Sequence, residues 1–257
     1  MSEQLQAPPG PHRRNVPERP HPVADKKTVA VRLVGGVVVV SGLLVLIGEL
    51  LTHFPSSGRG QAWDRHVDTW FAARRTGTWN TITTFGSGLA NTSTAIAVTV
   101  VFFLLLRWRL HRWYESWILV AAMIGELLVF VAVTTAVHRA RPPVTKLDVS
   151  PPTSSFPSGH TAAAIALYGC LAVLLLWIYG RRPATRIAAA VLVCLPLVVG
   201  LSRLYRGMHY PTDVVAGAVG AGFWLLIVIT TLLPRRASTT RDPSHRSTPV
   251  RADYEED

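Results

Sequence analysis

The chain has 257 residues, of which 49% are apolar and only 16% are charged, and its formal net charge is +11. The charged residues cluster between apolar runs of about 14 to 22 residues, an arrangement that excludes an ordinary water-soluble domain. The excess of positive charge first suggests a nucleic-acid-binding protein, but its distribution along the chain argues against that class.

Two polar tails flank a membrane domain in this sequence. Residues 1–28 and 234–257 are rich in charged residues and proline, so both are predicted to be disordered tails. Residues 29–233 are predicted to form one all-α membrane domain, because long continuous apolar runs favour helices over the strands of a barrel. The six predicted spans are about Leu33–Leu51, Ser93–Leu106, Ser116–Val137, Thr161–Ile178, Ile187–Gly200 and Val214–Leu233.

The charge distribution predicts the orientation of these spans. An even number of spans places both termini on one side of the membrane. The segments on that side hold 17 of the 26 Lys and Arg residues, within 1–32, 107–115, 181–186 and 234–257. Because cytoplasmic segments carry an excess of Lys and Arg, both termini are predicted to be cytoplasmic. The positive charge is thus explained by topology, and no nucleic acid partner is predicted.

The first extracytoplasmic segment, residues 52–92, is predicted to contain an interfacial helix. Trp63, Val67, Trp70 and Phe71 recur there at helical spacing. Aromatic residues favour the boundary between membrane and water, so anchoring is the preferred role. A lid over a lipid-facing site is the alternative.

The stretch SRLYRGMHYPTD, residues 202–213, places a histidine and an acid near the start of the sixth span. Pro211 suits the first turn of a helix, so His209 lies just before the helix and Asp213 in its first turn. A carboxylate that accepts a hydrogen bond from one imidazole nitrogen makes the other nitrogen a better nucleophile. On this stretch alone, a nucleophilic pair and an ordinary helix-start acid beside an interface histidine are equally good interpretations.

Further polar residues fall at the same extracytoplasmic face. Arg141 and Arg203 end the third and fifth spans, and guanidinium groups match phosphate oxygens geometrically. Ser158, Gly159 and His160 precede the fourth span, where free backbone N–H groups bind anions. One histidine attacking phosphorus and a second acting as general acid would transfer a phosphoryl group. No dense cluster of Asp, Glu and His is present to hold Mg²⁺ or Zn²⁺, so no metal and no other cofactor is predicted.

These motifs resemble those of the type 2 phosphatidic acid phosphatase superfamily, whose pattern is K-x6-RP, then PSGH, then SR-x5-H-x3-D. The second motif is complete at residues 157–160. The third is complete at Ser202, Arg203, His209 and Asp213. The first retains Arg141 and Pro142, but Thr134 stands at the lysine position. The ordered set of motifs, which lies within a core of residues 116–233, carries the resemblance.

The resemblance implies a six-helix membrane core and a phosphohistidine intermediate. It assigns His209 as the nucleophile, Asp213 as its partner and His160 as the acid for the leaving group. The phosphate ligands that it implies are Arg141, Ser158, Gly159 and Arg203. Substrates of the family include phosphatidate, phosphatidylglycerophosphate and polyprenyl diphosphates.

The missing lysine leaves two interpretations open. Thr134, His138 and Arg141 lie on one helical face, so His138 or the neighbouring Arg139 would supply the charge. Arg139 is preferred because its guanidinium is permanently charged. Alternatively, Thr134 donates a neutral hydrogen bond and the site suits fewer phosphate charges.

Glu126 is predicted to lie near the middle of the third span, where an ionised carboxylate is costly. A protonated or hydrogen-bonded structural role is preferred, and a proton relay is the alternative.

The sequence therefore predicts an integral membrane lipid phosphate phosphatase of the cell membrane, with an extracytoplasmic site for a phosphorylated membrane lipid and no need for a metal. A phosphotransferase that passes the phosphoryl group to a lipid or sugar hydroxyl is the first alternative. A non-enzymatic transporter or lipid-binding protein is the second, and it would require polar residues along several spans, which this sequence lacks.

Overall fold

The computed structural model describes residues 25–53, 59–111, 113–150 and 152–234, and within these ranges the regular structure is entirely helical. The helices are α1 (Lys26–His53), α2 (Arg59–Ala73), α3 (Gly77–Gly88), α4 (Thr92–Leu110), α5 (Tyr114–Ala136), α6 (Gly159–Tyr179), α7 (Pro183–Tyr205) and α8 (Pro211–Leu232). A π-helical turn at Ile165–Gly169 lies inside α6. The predicted tails fall outside the described residues, except that α1 already begins at Lys26.

Six of these helices, α1 and α4 to α8, are long and apolar enough to cross a membrane. The prediction of an all-α, six-span membrane bundle is therefore confirmed. The two shortest predicted spans are longer in the structure, at 19 residues for α4 and 23 for α7. The apolar pattern stops before Arg107 and Arg203, but the helices continue past them. Arginine near a helix C-terminus interacts favourably with the helix dipole and can extend its charged end towards water.

The predicted interfacial helix is α2, and its two faces differ sharply. Trp63 and Trp70 are 52% and 45% exposed, as expected of side chains that face a membrane boundary. The carboxylates of Asp64 and Asp68 lie on the opposite face, where each residue is only 1% exposed. The polar face of α2 thus packs on the protein.

A second helix, α3, lies in the same segment between the first two spans, and the sequence does not predict it. Its sequence GTWNTITTFGSG is rich in Gly and Thr, which are weak helix formers. Thr76 caps the helix by accepting a hydrogen bond from the Trp79 N–H at 3.3 Å. Gly86 packs so closely on α7 that a Cβ atom there would lie 2.2 Å from Ser202 Oγ. Tertiary packing and the cap therefore outweigh the low helix propensity of this stretch.

The start of α6 is fixed to the start of α8. The Ser158 N–H donates a hydrogen bond to the Asp213 backbone carbonyl at 3.0 Å. Gly217 permits this approach, because a Cβ atom at that position would lie 2.6 Å from the Ser158 carbonyl oxygen. The PSGH stretch and the third motif are consequently held against each other.

The described residues of the connection between α5 and α6, which are 137–150 and 152–158, contain no helix, as the prolines of this segment predict. Its backbone is tied to neighbouring segments by hydrogen bonds from Leu147 N to Arg206 O at 3.1 Å and from Ser155 N to Arg139 O at 2.9 Å. All three motif-bearing segments therefore meet at one end of the bundle.

Candidate active site

A cavity of about 850 Å³ lies where these segments meet. Its polar wall includes His160, His209, Arg141 and Arg203, all of which the sequence predicts as site residues. Its remaining wall is mostly apolar and is formed largely by α4 and α5, for example by Ile96, Val100, Ile124, Leu127 and Phe130. One cavity thus joins a cluster of arginines and imidazoles to an apolar surface within the membrane-spanning helices.

His209 is held in one tautomer by a backbone carbonyl. Its Nδ1 lies 2.7 Å from the Ser155 carbonyl oxygen, which can only accept a hydrogen bond, so Nδ1 carries the proton and Nε2 the lone pair. The nearer Asp213 oxygen is 3.9 Å from Nδ1, too far for a hydrogen bond. The expected contact from Asp213 is therefore replaced by one from Ser155.

The protonation state of His209 follows from its surroundings. The residue is 4% exposed. Burial, together with the charges of Arg203 and Arg141, lowers the pKa of His209 well below 6.5, against a smaller opposing effect of the Ser155 carbonyl. The imidazole is consequently neutral near neutral pH, as a nucleophile must be.

Asp213 belongs to a buried network of charges behind His209. Its side chain accepts hydrogen bonds from the Tyr210 N–H at 2.9 Å and from the guanidinium of Arg139. Arg139 also donates to Asp64 Oδ2 at 2.8 Å and stacks over the Tyr210 ring. Burial alone would lower the pKa of Arg139, but Asp213 and Asp64 reverse that effect and raise it. The network positions Asp213 beside the imidazole and engages both Nη atoms of Arg139.

Arg139 therefore does not line the cavity, although the sequence favours it as the substitute for the missing lysine. His138 does not line it either: this residue is exposed, and its Nδ1 lies 3.1 Å from the Ala136 carbonyl oxygen. Thr134 is also absent from the cavity wall, and its buried hydroxyl has no hydrogen-bond partner among the described residues. None of the three brings a positive charge to the cavity.

The two arginines that do line the cavity each retain a free donor. Arg141 Nη1 donates to the Met208 carbonyl at 2.8 Å, and Arg203 Nη1 donates to Ser87 Oγ at 2.7 Å. The Nε atoms of both guanidiniums are buried and have no partner among the residues that the structure describes. Unsatisfied buried donors are costly, so this pair is suited to an anion.

The PSGH stretch contributes to the cavity unevenly. Gly159 and His160 line it, but Ser158 does not. The Ser158 hydroxyl lies 2.9 Å from Thr161 Oγ1, and the Ser158 backbone N–H donates to the Asp213 backbone carbonyl. A Cβ atom at Gly159 would lie 2.7 Å from the Phe130 ring, so only glycine fits there. The N–H groups at the first positions of α6 have no partner within the helix and are open to an anion.

Sequence reasoning missed Asp148, which lines the same cavity from the α5–α6 connection. Its carboxylate accepts hydrogen bonds from Arg203 at 2.8 Å and from Arg206 Nε and Nη2 at 2.8 and 2.6 Å. Burial opposes ionisation, but the Arg206 hydrogen bond and both arginine charges lower the pKa of Asp148 below its usual value. No motif spacing marks this residue; an acid between two basic motifs is the only signal in the sequence.

Glu126 lines the deeper, apolar part of the cavity on α5. It lies ten residues before the end of that helix, about 15 Å further along the helix axis. Among the described residues, no group of three or more His, Cys, Asp or Glu side chains is arranged to hold a metal ion. Metal independence remains a prediction.

Comparison with known proteins agrees with the motifs. The PAP2 superfamily model matches residues 115–237. Phosphatidylglycerophosphatase B of Escherichia coli K12 is 43% identical over 82 residues, and lipid A 1-phosphatase of Rhizobium johnstonii is 38% identical over 76. These alignments cover 32% and 29% of this chain but only 30% and 27% of those relatives.

A solved structure extends the likeness to the whole fold. The PAP2-type phosphatidylglycerolphosphate phosphatase of Bacillus subtilis superposes with a TM-score of 0.66 at 20% identity, covering 81% of this chain and 100% of that one. The chain thus resembles the PAP2 superfamily in fold and, over residues 115–237, in sequence.

Proposed function

We propose that this protein is a membrane lipid phosphate phosphatase that works through a phosphohistidine at His209. The observation that carries the proposal is the single cavity that joins two histidines and two arginines to an apolar wall within the spans. The polar end suits a phosphate group and the apolar wall suits lipid chains. Candidate substrates are phosphatidate, phosphatidylglycerophosphate and polyprenyl diphosphates, and the curated relatives named above also act on lipid phosphates.

In the first step, the lone pair of His209 Nε2 attacks phosphorus. The bond between phosphorus and the lipid oxygen breaks, and His160 donates a proton to that oxygen. The products are a dephosphorylated lipid and an enzyme that carries the phosphoryl group on His209. The Nδ1–H bond to Ser155 keeps the attacking nitrogen unprotonated and oriented.

In the second step, His160 accepts a proton from a water molecule, whose oxygen attacks the phosphoryl group. The bond between phosphorus and nitrogen breaks, inorganic phosphate leaves, and both histidines return to their starting states. Arg141, Arg203 and the N–H groups of Gly159 and His160 stabilise the equatorial oxygens in both steps. Loss of one such donor typically lowers kcat by about 10²–10³-fold.

The excess of Lys and Arg on the opposite side supports an extracytoplasmic site in the cell membrane, with cytoplasmic termini. The substrate would then be a lipid phosphate in the outer leaflet of that membrane.

The proposal is tested by phosphate release from detergent-solubilised full-length protein, with each candidate lipid and no added acceptor. We expect the wild-type protein to release free phosphate from at least one lipid, also in excess EDTA. His209→Ala should release none. His66→Ala, a matched change of an exposed histidine, should release as much as the wild-type protein. Absence of free phosphate from every lipid would contradict the proposal. Transfer only to an added alcohol would replace hydrolysis by phosphotransfer.

A further inference from the structure

Asp148 places one negative charge among the arginines of the cavity. Its carboxylate is shared between Arg203, a wall residue of the cavity, and Arg206 directly behind it. The Asp148 side chain remains 29% exposed and itself lines the cavity, so its charge faces any bound phosphate group.

The residues at and near the position of the missing lysine do not offset this negative charge. Arg139 is committed to Asp64 and Asp213, and Thr134 and His138 do not line the cavity. Among the described residues, the charged side chains that line the polar end of the cavity are Arg141 and Arg203 against Asp148. Arg206 contacts Asp148 from outside the cavity wall. A bound phosphate group therefore faces two arginines and one carboxylate.

A phosphomonoester carries about 1.5–2 negative charges near pH 7. A diphosphate carries additional negative charge on a second phosphate group. When the terminal phosphorus is attacked at His209, that second group is part of the leaving group and lies on the side of the general acid. Asp148 and His160 line the same cavity, so the Asp148 carboxylate would repel the second phosphate.

We propose that Asp148 makes this site selective for lipid phosphomonoesters over lipid diphosphates. The inference rests on the proposed phosphatase function and narrows its substrate class. Asp148 is a specificity-determining residue here, since it contacts the phosphate-binding arginine and the cavity rather than the reacting nitrogen.

The test compares farnesyl monophosphate with farnesyl diphosphate, which share one lipid chain and differ in phosphate charge. We expect the wild-type kcat/KM to favour the monophosphate, and Asp148→Asn to raise the diphosphate-to-monophosphate ratio about tenfold by removing one like charge. Glu126→Gln is the matched control, because it removes a carboxyl group from the deep part of the same cavity and should leave the ratio unchanged.

Asp148→Asn is expected to fold, because Arg206 keeps hydrogen bonds to the Leu147 carbonyl and Thr84 Oγ1, each at 2.9 Å. A second measurement does not depend on turnover: the shift in thermal unfolding temperature caused by pyrophosphate relative to inorganic phosphate. The relative shift should increase in Asp148→Asn and stay unchanged in Glu126→Gln.

An unchanged substrate ratio and an unchanged relative thermal shift in Asp148→Asn would overturn the inference, as would a wild-type preference for the diphosphate. These results would leave the phosphatase function intact. If the wild-type protein releases phosphate from neither farnesyl compound nor from any other lipid phosphate, the proposed function fails instead.

Discussion

At the scale of single residues, the two histidines have different surroundings and hence different proposed tasks. His209 is buried, neutral and fixed by the Ser155 carbonyl, whereas His160 has no side-chain hydrogen bond among the contacts that the structure describes and faces the cavity at the start of α6. This division suits a fixed nucleophile and an acid–base group that must exchange protons with substrate and water.

The proposed role of His160 as general acid can be tested with substrates whose leaving groups differ in their need for a proton. His160→Ala should lower the rate of phosphoenzyme formation by at least about 100-fold on a lipid phosphate, whose alkoxide needs a proton. The loss in this first step should be much smaller on p-nitrophenyl phosphate, whose phenolate leaves without one. Pre-steady-state release of the lipid alcohol and of p-nitrophenol provides the measurement, and equal losses in the first step would contradict the assignment of His160.

Arg139 and Thr134 illustrate how much a structure can change an interpretation. The sequence favours Arg139 as a phosphate ligand because it is close to Arg141 and always charged. The structure instead places it between the buried carboxylates of Asp64 and Asp213. No local pattern predicts this network, because Asp64 lies 75 residues away along the chain.

We therefore expect opposite results from two substitutions. Arg139→Ala leaves two buried carboxylates without their partner and should destabilise the protein by about 3–5 kcal/mol. Thr134→Lys should lower the inhibition constant of inorganic phosphate about tenfold, if its longer side chain adds one charge-assisted contact. Thermal unfolding and phosphate inhibition are measured for both variants. A stable Arg139→Ala protein that binds phosphate poorly would restore Arg139 as a phosphate ligand.

At the scale of helices, the sequence predicts the spans well because their apolar runs are long. The order of the motifs also places three segments at one face. The sequence does not predict α3, whose Gly and Thr residues are held in a helix by packing against α7. Nor does it predict Asp148, since a loop residue is positioned by contacts that have no periodicity.

The close contact between α6 and α8 gives a prediction at this scale. Gly217→Ala should push the Ser158 carbonyl away from α8 and displace Gly159 and His160, because the added Cβ would lie 2.6 Å from that oxygen. We expect kcat to fall at least about tenfold, since small displacements of reacting groups are costly.

The matched control is Gly222→Ala on the same helix, where an added Cβ has no atom within 4 Å. Its activity and thermal stability should equal those of the wild-type protein. If Gly217→Ala is as active as this control, the contact does not position the site.

At the scale of the whole molecule, the cluster of motif residues lies at one end of a six-span bundle, and the side of the membrane on which that end lies determines the substrate pool. In a variant without Cys170 and Cys194, Ser150→Cys on the α5–α6 connection should react with an impermeant thiol reagent in intact cells. Arg181→Cys, between α6 and α7, should react only after permeabilisation. Both positions are exposed in the structure. The reverse labelling would place the site in the cytoplasm.

The central claim is the covalent step at His209, and it is tested most directly by trapping the phosphoenzyme. His160→Ala should form the intermediate from p-nitrophenyl phosphate but hydrolyse it slowly, because the water lacks its general base. Rapid quenching followed by mass spectrometry should then locate a phosphoryl group on His209 in this variant, and none when His209 is also replaced by alanine. A phosphoryl group on another residue, or rapid turnover with no phosphoenzyme at any time, would contradict the account.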